Sequence, residues 1–148
     1  MQKEAIHVLL ADDDVDDRLF FKEAFEEIKI KTNVQIVKDG MELMKELNRP
    51  DAKLPHILFL DLNMPRKTGM ECLKEIKEND KFNDIAIAIY STSASEQDIE
   101  QTFVNGANVY IKKPNDFGTL KKILTEIITV NWQYHTSGLD RSNFLLSL

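Results

Sequence analysis

Short apolar runs without alternation recur along this chain, each followed by a stretch with helical spacing. This rhythm constrains the fold more than any other feature. Ile6 to Ala11 is nearly continuous in apolar residues and reads as a strand buried on both faces. Phe21, Ala24, Phe25 and Ile28 then recur at helical spacing, which predicts an amphipathic helix from Val15 to Ile30. Val34 to Val37 is a second strand, closed by Asp39-Gly40, and Leu43, Met44 and Leu47 mark a second helix. Arg49 to Pro55 is a polar loop. His56 to Leu60, Ile85 to Tyr90 and Val109 to Ile111 are the remaining strands. Leu73 and Ile76 mark a third helix, and Ser95 to Val104 a weakly apolar fourth. The fifth carries the stripe Phe117, Leu120, Ile123, Leu124, Ile127 and Ile128, with Asn115 or Asp116 placed to cap it. Doubly buried strands alternating with helices imply a parallel sheet covered on both sides, and right-handed crossovers favour a doubly wound α/β sheet.

A chain of 148 residues suits one core. The expected division is a domain over 1–130 and a tail over 131–148, ending in Phe144-Leu145-Leu146-Ser147-Leu148. That end is apolar enough to cap its own sheet or to support a homodimer. A net charge of -6 argues against a nucleic-acid partner, which usually meets a basic patch. The start is too short in apolar residues for a signal-peptide core, and no run approaches a membrane span. The lone Cys72 excludes an internal disulfide and fits a reducing compartment. The expectation is a cytoplasmic protein without a membrane partner.

In a doubly wound sheet, ligands bind beyond the carboxyl ends of the strands. Asp12, Asp13 and Asp14 follow the first strand, Asp61 the third, Ser91, Thr92 and Ser93 the fourth, and Lys112 and Lys113 the fifth. The fold would converge carboxylates, a hydroxyl and an ammonium there. Clustered carboxylates repel unless a proton or a cation neutralises them. Mg²⁺ typically takes one or two carboxylates, waters and a phosphate oxygen. A carboxylate can also act as a nucleophile and form an aspartyl-phosphate.

Each residue also has a plainer reading. Asp12 to Asp17 holds five acids in six positions, which suits a solvated helix start; Asp14, Asp16 and Asp17 keep that reading. Ser91 could cap a turn, and Ser95 the fourth helix. Asp61 resists a plain reading, because it ends an apolar strand and buried acids are rare unless paired. His7 and His56 sit in strands as structural residues, His135 stands apart from them, and Cys72 lacks a Cys/His partner.

The segments Val8-Leu9-Leu10-Ala11-Asp12-Asp13-Asp14, Ile57 to Pro65 with Gly69, Tyr90-Ser91-Thr92-Ser93, and Gly106-Ala107 leading to Tyr110-Ile111-Lys112-Lys113-Pro114 together resemble the response-regulator receiver domain of two-component signalling. The resemblance implies a flavodoxin-like three-layer (βα)5 sandwich with a five-stranded parallel sheet in order 2-1-3-4-5. It also implies that Asp61 is the phosphoacceptor. Asp13, Asp61 and the backbone carbonyl of Asn63 would hold Mg²⁺ or Mn²⁺, with Asp12 acting through water. Lys113, directly before the proline, pairs with the phosphoryl group rather than Lys112. Ser91 and Tyr110 form the switch, and the Lys113-Pro114 bond is expected to be cis. A sensor histidine kinase or histidine phosphotransfer protein would be the donor and a protein target the output, since no output domain is expected to follow. The chain would be no enzyme beyond its own phosphorylation and dephosphorylation. Asp61 to Gly69, Ser91 to Ile99 and the polar insertion Arg49 to Lys53 resemble small single-domain receivers linked to phytochrome-type or hybrid sensor kinases. Two rivals fit less well. An aspartate-nucleophile phosphohydrolase would want an acid where Asn63 stands. A flavin module would want a phosphate loop where Asp12-Asp13-Asp14 would repel it.

Overall fold

The computed structural model describes residues 5–129 and the backbone of Leu145 and Leu146. Strands β1 (Ile6–Ala11), β2 (Thr32–Val37), β3 (Ile57–Leu60), β4 (Ala86–Ser91) and β5 (Val109–Lys112) alternate with helices α1 (Val15–Glu27), α2 (Gly40–Leu47), α3 (Gly69–Glu78), α4 (Glu96–Val104) and α5 (Phe117–Thr129). All strand pairs are parallel, in order β2-β1-β3-β4-β5, as expected. A short strand β6 (Leu145–Leu146) extends the sheet beyond β5, pairing Leu145 with Tyr110 and Leu146 with Ile111. β5 would otherwise end the sheet with unpaired backbone groups, which an added strand satisfies. The rest of the expected tail, and the 130/131 division, lie outside the described residues.

The apolar runs are continuous because neighbouring residues serve two cores. In β1 and β3, Val8, Leu10, Ile57 and Phe59 face one layer, where Phe21, Ala24 and Phe25 of α1 meet Leu120, Ile123 and Leu124 of α5. Leu9, Leu58 and Leu60 face the other layer, against Leu43 and Leu47 of α2, Cys72, Leu73 and Ile76 of α3, and Ile99 of α4. Successive side chains of a strand point to opposite faces, so a sheet covered twice needs apolar residues at every position. The first core holds an aromatic cluster: Phe21 packs edge-on against Phe59 at 5.0 Å and against Tyr90 at 5.7 Å.

Helix ends follow local chemistry. Asp14 accepts from the backbone N–H groups of Asp16 and Asp17 at the start of α1, so its plain reading as a cap holds. α1 ends at Glu27 rather than at Ile30, because Ile28 has left the helical conformation. Thr68 and Glu71 form a reciprocal capping box on α3. Ser95 caps α4, and Asp116, not Asn115, accepts from the Thr119 N–H at the start of α5. His7 and His56 are indeed structural: they stack at 5.5 Å, and the His7 N–H donates to His56 Nδ1 at 2.9 Å.

Asn108 passes unnoticed in the sequence. It is buried just before β5; its N–H donates to the Ile87 carbonyl and its side-chain oxygen accepts from the Ile87 N–H, both at 2.8 Å. Its side chain thus supplies the acceptor that completes the β4–β5 ladder beside its own backbone bond. Asn108→Ala strands a buried N–H, a loss of about 1–3 kcal/mol. Urea unfolding should show a lowered midpoint with an unchanged slope; an unaltered midpoint would contradict this role.

Candidate functional site

The carboxyl ends of β1, β3, β4 and β5 open on one edge of the sheet, and the predicted residues meet there. Asp12 is fully buried, Asp61 is 4% exposed and Asp13 is exposed. One carboxylate oxygen from each lies within 4.8 Å of the other two. The sheet enforces this approach, because the Asp61 N–H donates to the Ala11 carbonyl at 3.0 Å and thereby extends the β1–β3 ladder to the acids themselves. Asp12 Oδ1 accepts from the Asp14 N–H at 2.9 Å, and Asp61 Oδ1 accepts from the Asn63 N–H at 3.2 Å. Each buried acid is therefore held by the loop that follows it. Asn63 itself is exposed.

Lys113 supplies the positive charge. Its Nζ lies 2.9 Å from Asp12 Oδ2 and 3.4 Å from Asp61 Oδ2. It also lies 5.3 Å from the centre of the Tyr90 ring, so the aromatic core forms the floor beneath the ammonium. Lys112 is exposed and plays no part in the cluster. Among the described residues no peptide bond is cis, so the bond between Lys113 and Pro114 is trans, contrary to expectation. Trans is the form an X–Pro amide favours by about 0.5–1 kcal/mol, and with it the Lys113 N–H still reaches the Ser91 carbonyl at 2.8 Å while the ammonium reaches the acids.

The shortest contact of Lys113 is one that sequence reasoning missed: Asp17 Oδ2, at 2.7 Å. Asp17 lies in the first turn of α1, in an acidic run that looks solvated throughout. Beside it Arg18 donates from Nη1 to the Asp12 carbonyl at 2.9 Å. Only the separation of exposed Asp16 from partly buried Asp17 along the helix hints at this role.

The loop after Asp61 is compressed. The Lys67 N–H bonds to the Pro65 carbonyl at 2.7 Å across Arg66, whose φ is 69°; this is the rarer, strained sense of a γ-turn. Gly69 then returns its N–H to the Leu62 carbonyl at 3.0 Å. A Cβ there would stand 2.1 Å from the Asp61 carbonyl oxygen, so only glycine lets α3 start this close to the acid.

Ser91 and Tyr110 are both fully buried. Ser91 Oγ accepts from the Ser93 N–H at 3.1 Å, the Tyr110 hydroxyl donates to the Ser93 carbonyl at 2.7 Å, and Ser93 Oγ donates to Asp98 at 2.8 Å. The β4–α4 loop is thus laced to β5 through Tyr110, whose ring is inside. Cys72 is buried, and burial pushes its thiol up to about 11, as fits an inert core residue.

Electrostatics set the site apart from an ordinary ion-pair cluster. Burial pushes Asp61 up to about 6 and outweighs the attraction of Lys113, while Asp12 adds to the rise. Burial also raises Asp12, against its hydrogen bonds. For Lys113, burial opposes the charge, but the hydrogen bond it donates to Asp17 and the negative charges of Asp12 and Asp61 prevail and hold it above its ordinary value. Asp12 Oδ2 faces Lys113 only as an ion pair and has no hydrogen-bond partner. A buried carboxylate oxygen left in this state, with two more carboxylates beside it, fits a hard divalent cation.

A parallel doubly wound domain with this pocket of acids, lysine and hydroxyl has the architecture of a two-component receiver. The chain belongs to the response regulator receiver domain family, whose sequence model matches residues 8–125. It is 28% identical over 123 residues to the probable methanogenesis regulatory protein FilR2 of Methanothrix harundinacea, covering 81% of this chain and 79% of that protein. The crystal structure of the phosphorylated cyanobacterial phytochrome response regulator RcpA superposes with a TM-score of 0.78 at 32% identity, covering 84% of this chain and 91% of that one. The Mn²⁺-bound form of response regulator Rcp1 gives 0.77 at 28% identity, covering 84% and 93%. Receiver domains bind Mg²⁺ or Mn²⁺ in an acidic pocket, and Asp12, Asp13 and Asp61 form such a pocket here. Response regulators of this kind are signalling proteins of two-component systems. No helix among the described residues is long and apolar enough to cross a membrane.

The raised Asp61 gives a signed prediction for the metal-free protein. Between 3.8, its ordinary value, and about 6, the folded chain holds a proton that the unfolded chain has released. Stability contributed by this group therefore rises as pH falls through that window. At about 1.4 kcal/mol per pH unit, the ionised carboxylate costs on the order of 3 kcal/mol at neutral pH. Asp61→Asn should be more stable than the parent by about 1–3 kcal/mol at pH 7.5 without metal, with the gap closing towards pH 4. Urea titrations across pH measure it, and a parent more stable than the variant at pH 7.5 would reverse the sign.

Proposed function

We propose that this receiver takes a phosphoryl group from a sensor histidine kinase or histidine phosphotransfer protein onto Asp61, and that the phosphorylated state switches a protein contact or relays the group onward. The observation that carries this reading is the set of Asp12, Asp13 and Asp61 oxygens within 4.8 Å of one another beside a single ammonium, with Asp12 Oδ2 lacking a hydrogen bond.

Asp13, Asp61 and the Asn63 backbone carbonyl are the proposed ligands of Mg²⁺ or Mn²⁺, with Asp12 acting through water. When bound, the ion balances negative charge on the transferring phosphoryl group. The chain's own part is positioning. An Asp61 carboxylate oxygen bonds to phosphorus as the bond from phosphorus to the donor histidine nitrogen breaks; that nitrogen keeps the electron pair and takes up a proton. Lys113 and the Ser91 hydroxyl hold phosphoryl oxygens, both standing on strand ends already fixed by the sheet. The chemistry is confined to the gain of this group and its loss by hydrolysis or onward transfer. Ser91 reorienting towards the phosphoryl group pulls on the loop that Tyr110 bonds through Ser93, which carries the change to the α4–β5 face. A phytochrome-type or hybrid kinase is the proposed donor, supported by the likeness to RcpA. A cytoplasmic location fits such a donor.

Incubation with a small phosphodonor such as acetyl phosphate and Mg²⁺ should label the parent in an acid-stable, alkali-labile form. Asp61→Asn should lose the label, and chelation of the metal should suppress it. Equal labelling of the Asn variant would refute the assignment. Calorimetry should also show Mg²⁺ binding that Asp13→Asn weakens at least tenfold, since it removes a charged ligand from a small set; unchanged affinity would exclude Asp13 as a ligand.

A further inference from the structure

Three carboxylate oxygens crowd the Lys113 ammonium: Asp17 Oδ2 at 2.7 Å, Asp12 Oδ2 at 2.9 Å and Asp61 Oδ2 at 3.4 Å. An ammonium has three N–H donors, and the fourth side of Lys113 is its own carbon stem over the Tyr90 ring. Asp17 and Asp61 accept hydrogen bonds from it and Asp12 faces it as an ion pair, so its shell is crowded with anions before any phosphoryl oxygen arrives, and a contact must loosen for the lysine to engage a new one. Asp61 is the residue that would carry the phosphoryl group. Asp12 is fully buried, with no surface of its own facing bulk water. Asp17 differs in both respects: its side chain is 32% exposed, and it projects from the first turn of α1 at the surface, where its carboxylate can be rehydrated.

We propose that Asp17 is a competitor for Lys113: it holds the ammonium in the unphosphorylated state, is the carboxylate that yields to the phosphoryl group, and thereby lowers the affinity of the site for that group and shortens its lifetime. This rests on the reading of Asp61 as phosphoacceptor. Asp17 acts through Lys113 rather than on the reacting atoms, so it is a positioning residue. The sign of the effect follows from counting anions. Removing the Asp17 charge weakens its hold on Lys113 and removes one negative charge facing the phosphoryl oxygens, and both changes favour the bound state.

Beryllofluoride in the presence of Mg²⁺, titrated by calorimetry, serves as the phosphoryl mimic in a double-mutant cycle on the intact chain. Asp17→Asn should bind it roughly three- to ten-fold more tightly than the parent and slow hydrolysis of the phosphoprotein by a similar factor. In a Lys113→Gln background, Asp17→Asn should change affinity by less than about twofold. A purely structural role for Asp17 would move the unfolding midpoint without this dependence on Lys113. Unchanged or weaker binding in Asp17→Asn would overturn the proposal, as would the same gain in both backgrounds, which would make Asp17 a distant charge and not a partner of the lysine. Failure of the parent to bind beryllofluoride at all, or equal binding by Asp61→Asn, would instead overturn the phosphoacceptor reading on which the proposal stands.

Discussion

One ammonium balances too many carboxylates, and the rest of the molecule is arranged around that imbalance. Lys113 faces Asp12, Asp17 and Asp61, while Asp13 stands close by with no cation of its own among these contacts. Burial makes the shortage costly, because the interior weakens the hydration that would otherwise screen like charges. Asp61, pushed up to about 6 despite the lysine, records the strain. A stability-driven sequence would place an asparagine or an apolar residue at the end of β3. The two layers of tightly covered sheet beneath the pocket offset the penalty. Tyr90 joins the two: its ring belongs to the Phe21–Phe59 cluster and also lies under the Lys113 ammonium.

The loops give this charge arrangement its geometry. The β3–α3 loop tightens through the Arg66 turn and the Gly69 return, which brings the start of α3 against the Asp61 backbone. The β4–α4 loop is less constrained by sterics and more by hydrogen bonds from Ser91, Ser93, Tyr110 and Asp98. These differ in what they permit. A loop pinned by close backbone packing cannot move without unfolding, whereas one held by hydroxyls can exchange partners at the cost of a few hydrogen bonds. In the proposed mechanism the first is suited to fixing the reacting carboxylate and the second to reporting on it.

Much of this was legible in the sequence, for a specific reason. Doubly buried strands must be apolar at every position, so β1, β3 and β4 stand out as runs, and an acid closing such a run, as Asp61 does, is conspicuous. The strand-end rule for doubly wound sheets then gathers Asp12, Asp13, Ser91 and Lys113 without any contact being known. What escaped lies in tertiary detail that periodicity does not encode. Asp17 shares its run with four other acids, and its partner is 96 positions away. Asn108 looks like an ordinary loop residue, and its pair of hydrogen bonds with Ile87 depends on where β4 begins. The trans bond before Pro114 departs from what the family resemblance implied, because the resemblance carries residue types and not backbone isomers. Leu145 and Leu146 looked apolar enough to dock, yet nothing in their pattern named the β5 edge as the place.

That edge matters for how the proposed signal leaves the site. Tyr110 is bordered on one side by Ile89 of β4, two residues before Ser91, and on the other by the backbone of Leu145. Its hydroxyl is tied to the loop that follows Ser91. Any displacement of the ring is therefore coupled to the loop above and to the ladder beside it. A phosphoryl group can shift such an equilibrium only by binding its two states unequally. The inequality has to come from groups that contact the phosphoryl oxygens directly, which in the proposed mechanism are Lys113 and Ser91. Lys113 enters the balance already engaged by Asp17, so the resting state is stabilised by a bond that the phosphorylated state must give up. The switch is then set by the difference between two sets of partners for the same ammonium, and the core beneath it holds that difference in place.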